Sequence, residues 1–265
     1  MASTDLSLRV ERRERVCTLT LNRPEMKNAL SLELVDALTR TLGEWSRRPD
    51  PPVLIIRGAG DAAFCSGFDI RALPAGAPPA AGLERIEPVE ALFQHVVDYP
   101  MPVIAMINGA AFGAGCELAV CCDLRIAADH AGMGMPPARL GVVYPWTGLR
   151  RFVDAVGLTN SKEMFFTART YRGDELKRIG LANEVVPRQE LQAVTTRLAD
   201  EIAAHAPLAL KGIKRVLNLL QESTALPPEA AREAQARVAE ALASEDLQEG
   251  RQAFIEKRPP RFKGR

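Results

Sequence analysis

Apolar positions run along this chain in two rhythms. Residues 53–57 and 103–107 are short, nearly continuous apolar runs, the pattern of strands buried on both faces. Residues 6–21 read as two strands around a charged turn at 11–15. Residues 31–47 change to helical spacing, with Leu34, Leu38, Leu42 and Trp45 on one side and Ser31 placed to start the helix. The prolines from Pro49 to Pro52 end that unit. Residues 84–98 again read as helix, closed by Pro100 and Pro102. Strand and helix then alternate, which predicts an α/β architecture. Short helical segments follow at 161–167 and 173–179, and longer ones at 191–204 and 208–221. Residues 228–243, rich in Ala, Glu and Arg, are strong helix formers. The last quarter therefore reads as helix throughout. Between these elements, residues 73–82 are almost all Ala, Pro and Gly and read as a loop beside the first half of the chain. No internal repeat is visible.

Two small-residue turns stand out against this pattern. One follows the run at 103–107: Asn108, Gly109, Ala110, Ala111, Phe112, Gly113, Ala114, Gly115, Cys116, Glu117. It reads as strand, tight turn, helix start, with free N–H groups and a positive dipole end. Glu117 sits about one turn inside. The other follows the run at 53–57 and spans residues 58–70, with Gly67, Phe68 and Asp69 at its end. Asp69 is placed to cap a following helix and so to turn the Phe68 N–H outward. Backbone donors from both turns can then converge on one carbonyl oxygen beside a carboxylate, an arrangement that suits anion stabilisation with acid–base chemistry.

Composition narrows the partners. The chain has 265 residues, 47% hydrophobic and 25% charged, enough for a sizeable core. A net charge of +1 gives no broad field for nucleic acid or an anionic membrane. No apolar run approaches the roughly 20 residues of a membrane span, and the first residues lack a secretory apolar segment. The five cysteines, at 17, 65, 116, 121 and 122, show no C-x-x-C spacing, and with only three histidines no metal site is expected. Reduced, buried thiols in a cytoplasmic protein are the expectation. His95 reads as a surface or core-edge residue.

Ordered motifs carry a resemblance that runs almost end to end. They are Leu-Asn-Arg-Pro-Glu-Met-Lys-Asn-Ala-Leu at 21–30, Ala-Phe-Cys-Ser-Gly-Phe-Asp-Ile at 63–70 and Pro-Val-Ile-Ala-Met-Ile-Asn-Gly at 102–109. Gly-Leu-Ala-Asn-Glu-Val-Val at 180–186 and the segment 249–260 complete the series. The chain resembles the crotonase superfamily, the enoyl-CoA hydratases and isomerases. The resemblance implies a spiral of ββα turns over residues 1–200, holding the CoA and acyl sites. It implies a C-terminal helical oligomerisation region over residues 201–265, assembling a homotrimer or a dimer of trimers. It implies an acyl-CoA substrate, coenzyme A being part of the thioester and no tightly bound cofactor being needed. The oxyanion donors carried over are the N–H groups of Phe68 and Ala114, the latter standing where many relatives have glycine. Glu117 matches one of two catalytic glutamates. Met26, Ala29, Leu30, Ala62 and Phe64 match segments that hold the CoA moiety, and Lys257 matches a region that approaches the nucleotide from a neighbouring subunit.

The chain departs from the hydratase pattern at one point. The second glutamate's place, within residues 134–141, is Pro137, which has no proton to give or take. A single carboxylate must then serve both steps of a hydration, or another group must help. Tyr144 offers a different route. The segment 140–146 resembles that of methylmalonyl-CoA decarboxylase-type members, where a tyrosine is set to orient a substrate carboxylate. Against this, an ionised Glu117 repels such a substrate. Trp146 reads as a pocket wall or core residue. The first reading of the sequence is a hydratase or isomerase using Glu117; the alternative is a malonyl-type decarboxylase using Tyr144. A catalytically weak relative that binds RNA or serves as a scaffold is a third, disfavoured by the neutral charge.

Overall fold

The structure, a computed structural model, describes residues 7–69, 79–222 and 227–264. The chain opens with an antiparallel hairpin, β1 (Leu8–Arg13) and β2 (Val16–Leu21), followed by α1 (Leu32–Ser46). The Ser31 hydroxyl accepts from the Leu34 N–H at 3.3 Å, the N-cap the sequence predicts. Three strand–strand–helix turns then repeat. They are β3 (Val53–Gly58), β4 (Ala63–Cys65), α2 (Pro79–Asp98); β5 (Val103–Ile107), β6 (Ala110–Phe112), α3 (Ala114–Cys121); and β7 (Leu124–Ala128), β8 (Gly132–Gly134), α4 (Trp146–Thr167). β9 (Tyr171–Arg172), α5 (Asp174–Arg178), β10 (Glu184–Val186) and α6 (Leu191–Ala204) complete the body.

Among the described residues the strands sort into two sheets. The first strand of each turn joins a six-stranded sheet, β1-β2-β3-β5-β7-β10, and the second joins a four-stranded sheet, β4-β6-β8-β9. Each turn thus advances the chain by one parallel strand in each sheet, the spiral of ββα units expected from the resemblance. The continuous apolar runs follow from this topology. β3 and β5 are central parallel strands with α6 and β4 packed against them, so alternation with polar residues has no place there. α1 packs on α2, α2 on α3 and α3 on α4, so the helices follow the spiral round and α3 lies between two of them.

The structure corrects two helix starts. α2 begins at Pro79, inside the stretch read as loop; proline at a helix's first turn loses no hydrogen bond, and the alanines after it favour helix. The rest of that stretch, residues 73–78, lies outside the described residues. α4 begins at Trp146, well before the predicted 161–167, and is interrupted at Gly157, whose φ of 78° is open to glycine without strain. Within the last quarter, α7 (Pro207–Glu222) and α8 (Pro228–Leu242) lie where predicted, and a further helix, α9 (Glu245–Glu256), follows with Ser244 as its N-cap. All five cysteines are buried free thiols. Among the described residues no helix is long and apolar enough to cross a membrane, and no cluster of three or more His, Cys, Asp or Glu side chains is placed to hold a metal ion.

Candidate active site

The two turns lie side by side. Gly67, at φ 112°, ends the first turn, and a Cβ built on it would sit 3.0 Å from the Phe112 carbonyl oxygen and 3.8 Å from the Ala114 nitrogen. Phe68 forms a single parallel bridge with Leu30. The Leu30 N–H donates to the Gly67 carbonyl at 2.8 Å, and the Asp69 N–H donates to the Leu30 carbonyl at 3.0 Å. In a parallel bridge those bonds come from the residues flanking Phe68, so the Phe68 N–H itself points away from Leu30. Ala114 is the first residue of α3, where an N–H has no carbonyl a turn back to reach. The helix sits close because Gly115 lacks a side chain: a Cβ there would lie 2.1 Å from the Cys65 carbonyl oxygen. The residues that would carry on from Asp69 as a capped helix lie outside the described residues; Asp69 itself pairs with Arg23 at 3.4 Å.

Glu117 lies one turn into α3, its N–H bonded to the Gly113 carbonyl at 3.0 Å. Its side chain is fully buried, on a helix otherwise lined by Cys116, Leu118, Ala119 and Val120. A carboxyl taken out of water needs partners, and two side chains from beyond α3 supply them. The Tyr144 hydroxyl donates to Oε2 at 2.5 Å, and Arg151 Nη1 donates to Oε1 at 2.6 Å. The same Nη1 donates to Glu90 Oε2 at 3.1 Å, and the Thr147 hydroxyl donates to that Glu90 oxygen at 3.0 Å. The Arg151 guanidinium lies over the Phe93 ring at 5.6 Å. Burial pushes the Glu117 carboxyl from its ordinary 4.5 up to about 7; the Glu90 carboxylate adds to the rise, while Arg151 and the Tyr144 hydrogen bond oppose it. Glu117 thus exchanges a proton near neutrality. Burial, then the Glu117 charge, holds the Tyr144 hydroxyl well above its ordinary value of 10, so it is a neutral donor.

The helical spacing of 147, 148 and 151 on α4 puts Thr147, Gly148 and Arg151 on the face toward α3. Gly148 is there for space: a Cβ would lie 2.7 Å from Tyr144 Cε1 and 2.8 Å from Glu117 Oε1. Arg151 and Glu90 do not figure in the sequence reading. Arg150-Arg151 looks like a solvated pair, and Glu90 looks like one more charge on an amphipathic helix. For neither does the sequence carry a signal that singles it out.

The other predicted residues fall into two groups. Residues 26–30 run beside the first turn: the Ser66 N–H donates to the Lys27 carbonyl at 3.0 Å, and Ser66 Oγ to the Met26 carbonyl at 3.4 Å. Met26 is half-buried and Ala62 exposed, whereas Ala29, Leu30 and Phe64 are buried. Lys257 is an exposed, left-handed C-cap at the end of α9. Pro137 is buried in a tight turn, Pro137–Leu140, which packs against α9. Trp146 is half-buried at the start of α4. His95 is exposed, its Nδ1 2.7 Å from the Ala91 carbonyl.

A spiral of this kind, with two adjoining backbone turns and a buried glutamate one turn into a helix, defines a crotonase-type protein. The sequence profile described as Enoyl-CoA hydratase/isomerase matches residues 11–265, and the chain belongs to that family of acyl-CoA enzymes. The short-chain-enoyl-CoA hydratase of Clostridium acetobutylicum is 33% identical, over 94% of both chains. A methylmalonyl-CoA decarboxylase complexed with 2S-carboxypropyl CoA superposes with a TM-score of 0.91 at 31% identity, covering 99% of this chain and 100% of the other. An enoyl-CoA hydratase from Bacillus anthracis gives 0.77 at 32% identity, over 98% and 100%.

Proposed function

We propose that this enzyme removes CO2 from a malonyl-type (2-carboxyacyl) CoA thioester. One observation carries the reading: Tyr144, the residue the decarboxylase reading needs, reaches into the site with its hydroxyl 2.5 Å from Glu117, while the resemblance places Pro137 where hydration needs a second acid. Decarboxylation generates its enolate from the C–C bond, without a base. The sequence raised one objection, repulsion between Glu117 and a substrate carboxylate. A carboxyl that binds a proton near pH 7 beside a guanidinium largely removes it. The higher structural overlap with the decarboxylase, at the same level of identity as the hydratase, points the same way.

In this reading the thioester oxygen accepts from the Phe68 and Ala114 N–H groups, which hold the charge as it develops. The Tyr144 hydroxyl turns from Glu117 to the substrate carboxylate and fixes its orientation. The bond to that carboxylate breaks, its electron pair passes into the thioester as an enolate, and CO2 leaves. Protonated Glu117 then gives its proton to the α-carbon and is recharged from water. The CoA moiety lies along residues 26–30 and 62–64, with Lys257 of a neighbouring subunit near the nucleotide. The exposed apolar residues of α7, among them Leu208, Ile213 and Leu217, are covered in a trimer or a dimer of trimers, which light scattering will read as a mass above the monomer.

The second reading, hydration or isomerisation with Glu117 as sole acid–base group, follows from the hydratase relatives. Incubation with enoyl-, 3-hydroxyacyl- and malonyl-type CoA esters, read by mass spectrometry, separates the two by loss of CO2 against gain or loss of water. On a malonyl-type ester, Tyr144→Phe lowers kcat about 100-fold, the order expected for a mispositioned reacting group, and Glu117→Gln lowers it less. The hydratase reading requires the reverse: about 100- to 10,000-fold from Glu117→Gln on an enoyl-CoA and little from Tyr144→Phe. Turnover of enoyl-CoA with no CO2 release from any 2-carboxyacyl ester sinks the proposal.

A further inference from the structure

The arrangement around Glu117 contains a second carboxylate that the reaction above does not use. Glu90 comes from a different turn of the spiral, on α2, yet it shares one guanidinium nitrogen with Glu117: Arg151 Nη1 lies 2.6 Å from Glu117 Oε1 and 3.1 Å from Glu90 Oε2. Glu90 is itself held, by the Thr147 hydroxyl at 3.0 Å. The Arg151 and Glu90 side chains are mostly buried, 14% and 24% exposed, so water screens this charge triad weakly. One cation between two carboxylates satisfies each only in part.

We propose that Glu90 is a positioning residue which, by competing for Arg151, sets the charge state in which Glu117 meets the thioester. This rests on Glu117 being the acid–base group. If Arg151 belonged to Glu117 alone, it would offset more of the rise that burial imposes on that carboxyl. With Glu90 drawing on the same nitrogen, Glu117 keeps a proton near neutrality. The groups facing Glu117 among the described residues are few. Glu90 comes from α2, Arg151 from α4 and Tyr144 from the turn before α4. Cys116 and Cys121 lie on its own helix, both buried thiols raised by burial and neutral at pH 7. Glu90 and Arg151 are the charged groups among these, and their opposing pulls act on Glu117 on top of burial.

The test reads Glu117 itself. The infrared band of its protonated carboxyl is isolated by subtracting the spectrum of Glu117→Gln, and its intensity is followed across a pH series. Glu90→Gln keeps the shape and the Thr147 contact; it moves the midpoint down by about one unit, as for a carboxyl gaining a fuller share of a cation. Arg151→Gln moves the midpoint up. The limb of the kcat–pH profile that belongs to Glu117 moves the same way in each variant. A merely structural role for Glu90 would lower activity without moving either midpoint. An unmoved midpoint in Glu90→Gln, or a shift in the same direction in both variants, overturns the proposal. Should Arg151→Gln fail to fold, Glu90→Gln decides alone. Infrared midpoints that move as stated in an enzyme that releases no CO2 from any ester sink the decarboxylase reading and leave this one standing.

Discussion

Two glutamate–arginine pairs in this molecule have the same contact distance and opposite consequences. Glu117 and Arg151 approach to 2.6 Å in the interior; Glu249 and Arg258 approach to 2.6 Å at the C-terminal end of the chain. Burial drives the Glu117 carboxyl up to about 7. The Arg258 hydrogen bond, with help from the Arg261 N–H, drives the Glu249 carboxyl down to about 2. The difference lies in the surroundings. Glu249 keeps water and gains donors; Glu256 also draws on Arg258, but through Nε, leaving Nη1 and Nη2 to Glu249. Glu117 has lost all its water and shares its arginine with Glu90. The same kind of pair keeps one carboxyl ionised and leaves the other holding a proton near neutrality.

The largest effect comes from removing the buried cation. Arg151→Gln leaves Glu117 facing Glu90 without compensation and costs about 3–5 kcal/mol at pH 8, the range for breaking a buried pair. The loss shrinks toward pH 5, where Glu117 takes up a proton. Urea denaturation of both proteins at the two pH values measures it. An equal loss at both would mean that Arg151 acts through packing alone.

Next is Glu117 itself. Its folded pKa lies above the ordinary 4.5, so the folded state holds the extra proton and stability falls as pH rises from about 4.5 to about 7. Glu117→Gln lacks that slope. Relative to the native protein, the variant gains about 3 kcal/mol between pH 4 and pH 8, from a shift of some 2.5 units. A flat difference across that window would show that the carboxyl is not raised.

Gly148→Ala probes the same site by shape. A methyl group 2.7 Å from Tyr144 and 2.8 Å from Glu117 must displace one of them, and a misplacement of that size costs about 100-fold in kcat. Gly212→Ala on α7, where a Cβ meets nothing within 4 Å, leaves turnover unchanged. Comparable kcat for the two variants would remove the shape argument.

The smallest effect belongs to the outer pair. Glu249 is depressed, so its contribution is present above about pH 4.5 and is lost as pH falls through about 2. Arg258→Gln therefore leaves kcat as it was and moves the denaturation midpoint only slightly at pH 7, with the difference from the native protein vanishing in acid. A stability loss as large as that of the Arg151 variant would erase the contrast between the two pairs.

Much of this protein is written in local pattern. The strands β3 and β5, the helix α1 with its Ser31 cap and the helices α6 to α8 are legible because periodicity, capping and proline stops act over a few residues. The turns that hold Phe68 and Ala114, and Glu117 one helical turn further, are legible for the same reason: small residues between a strand and a helix have few other uses. The boundaries that slipped are also local matters. Pro79 at a helix start and Gly157 within α4 are breakers whose effect depends on what packs beside them. Tertiary structure alone decided the state of Glu117. Arg151 is 34 residues away along the chain and Glu90 is 27, and each looks like an ordinary surface charge in its own helix. They become a triad because the spiral sets α2 and α4 on either side of α3. The distance between charges and the water excluded around them, which fix a proton's affinity, are properties of that packing and of no stretch of sequence.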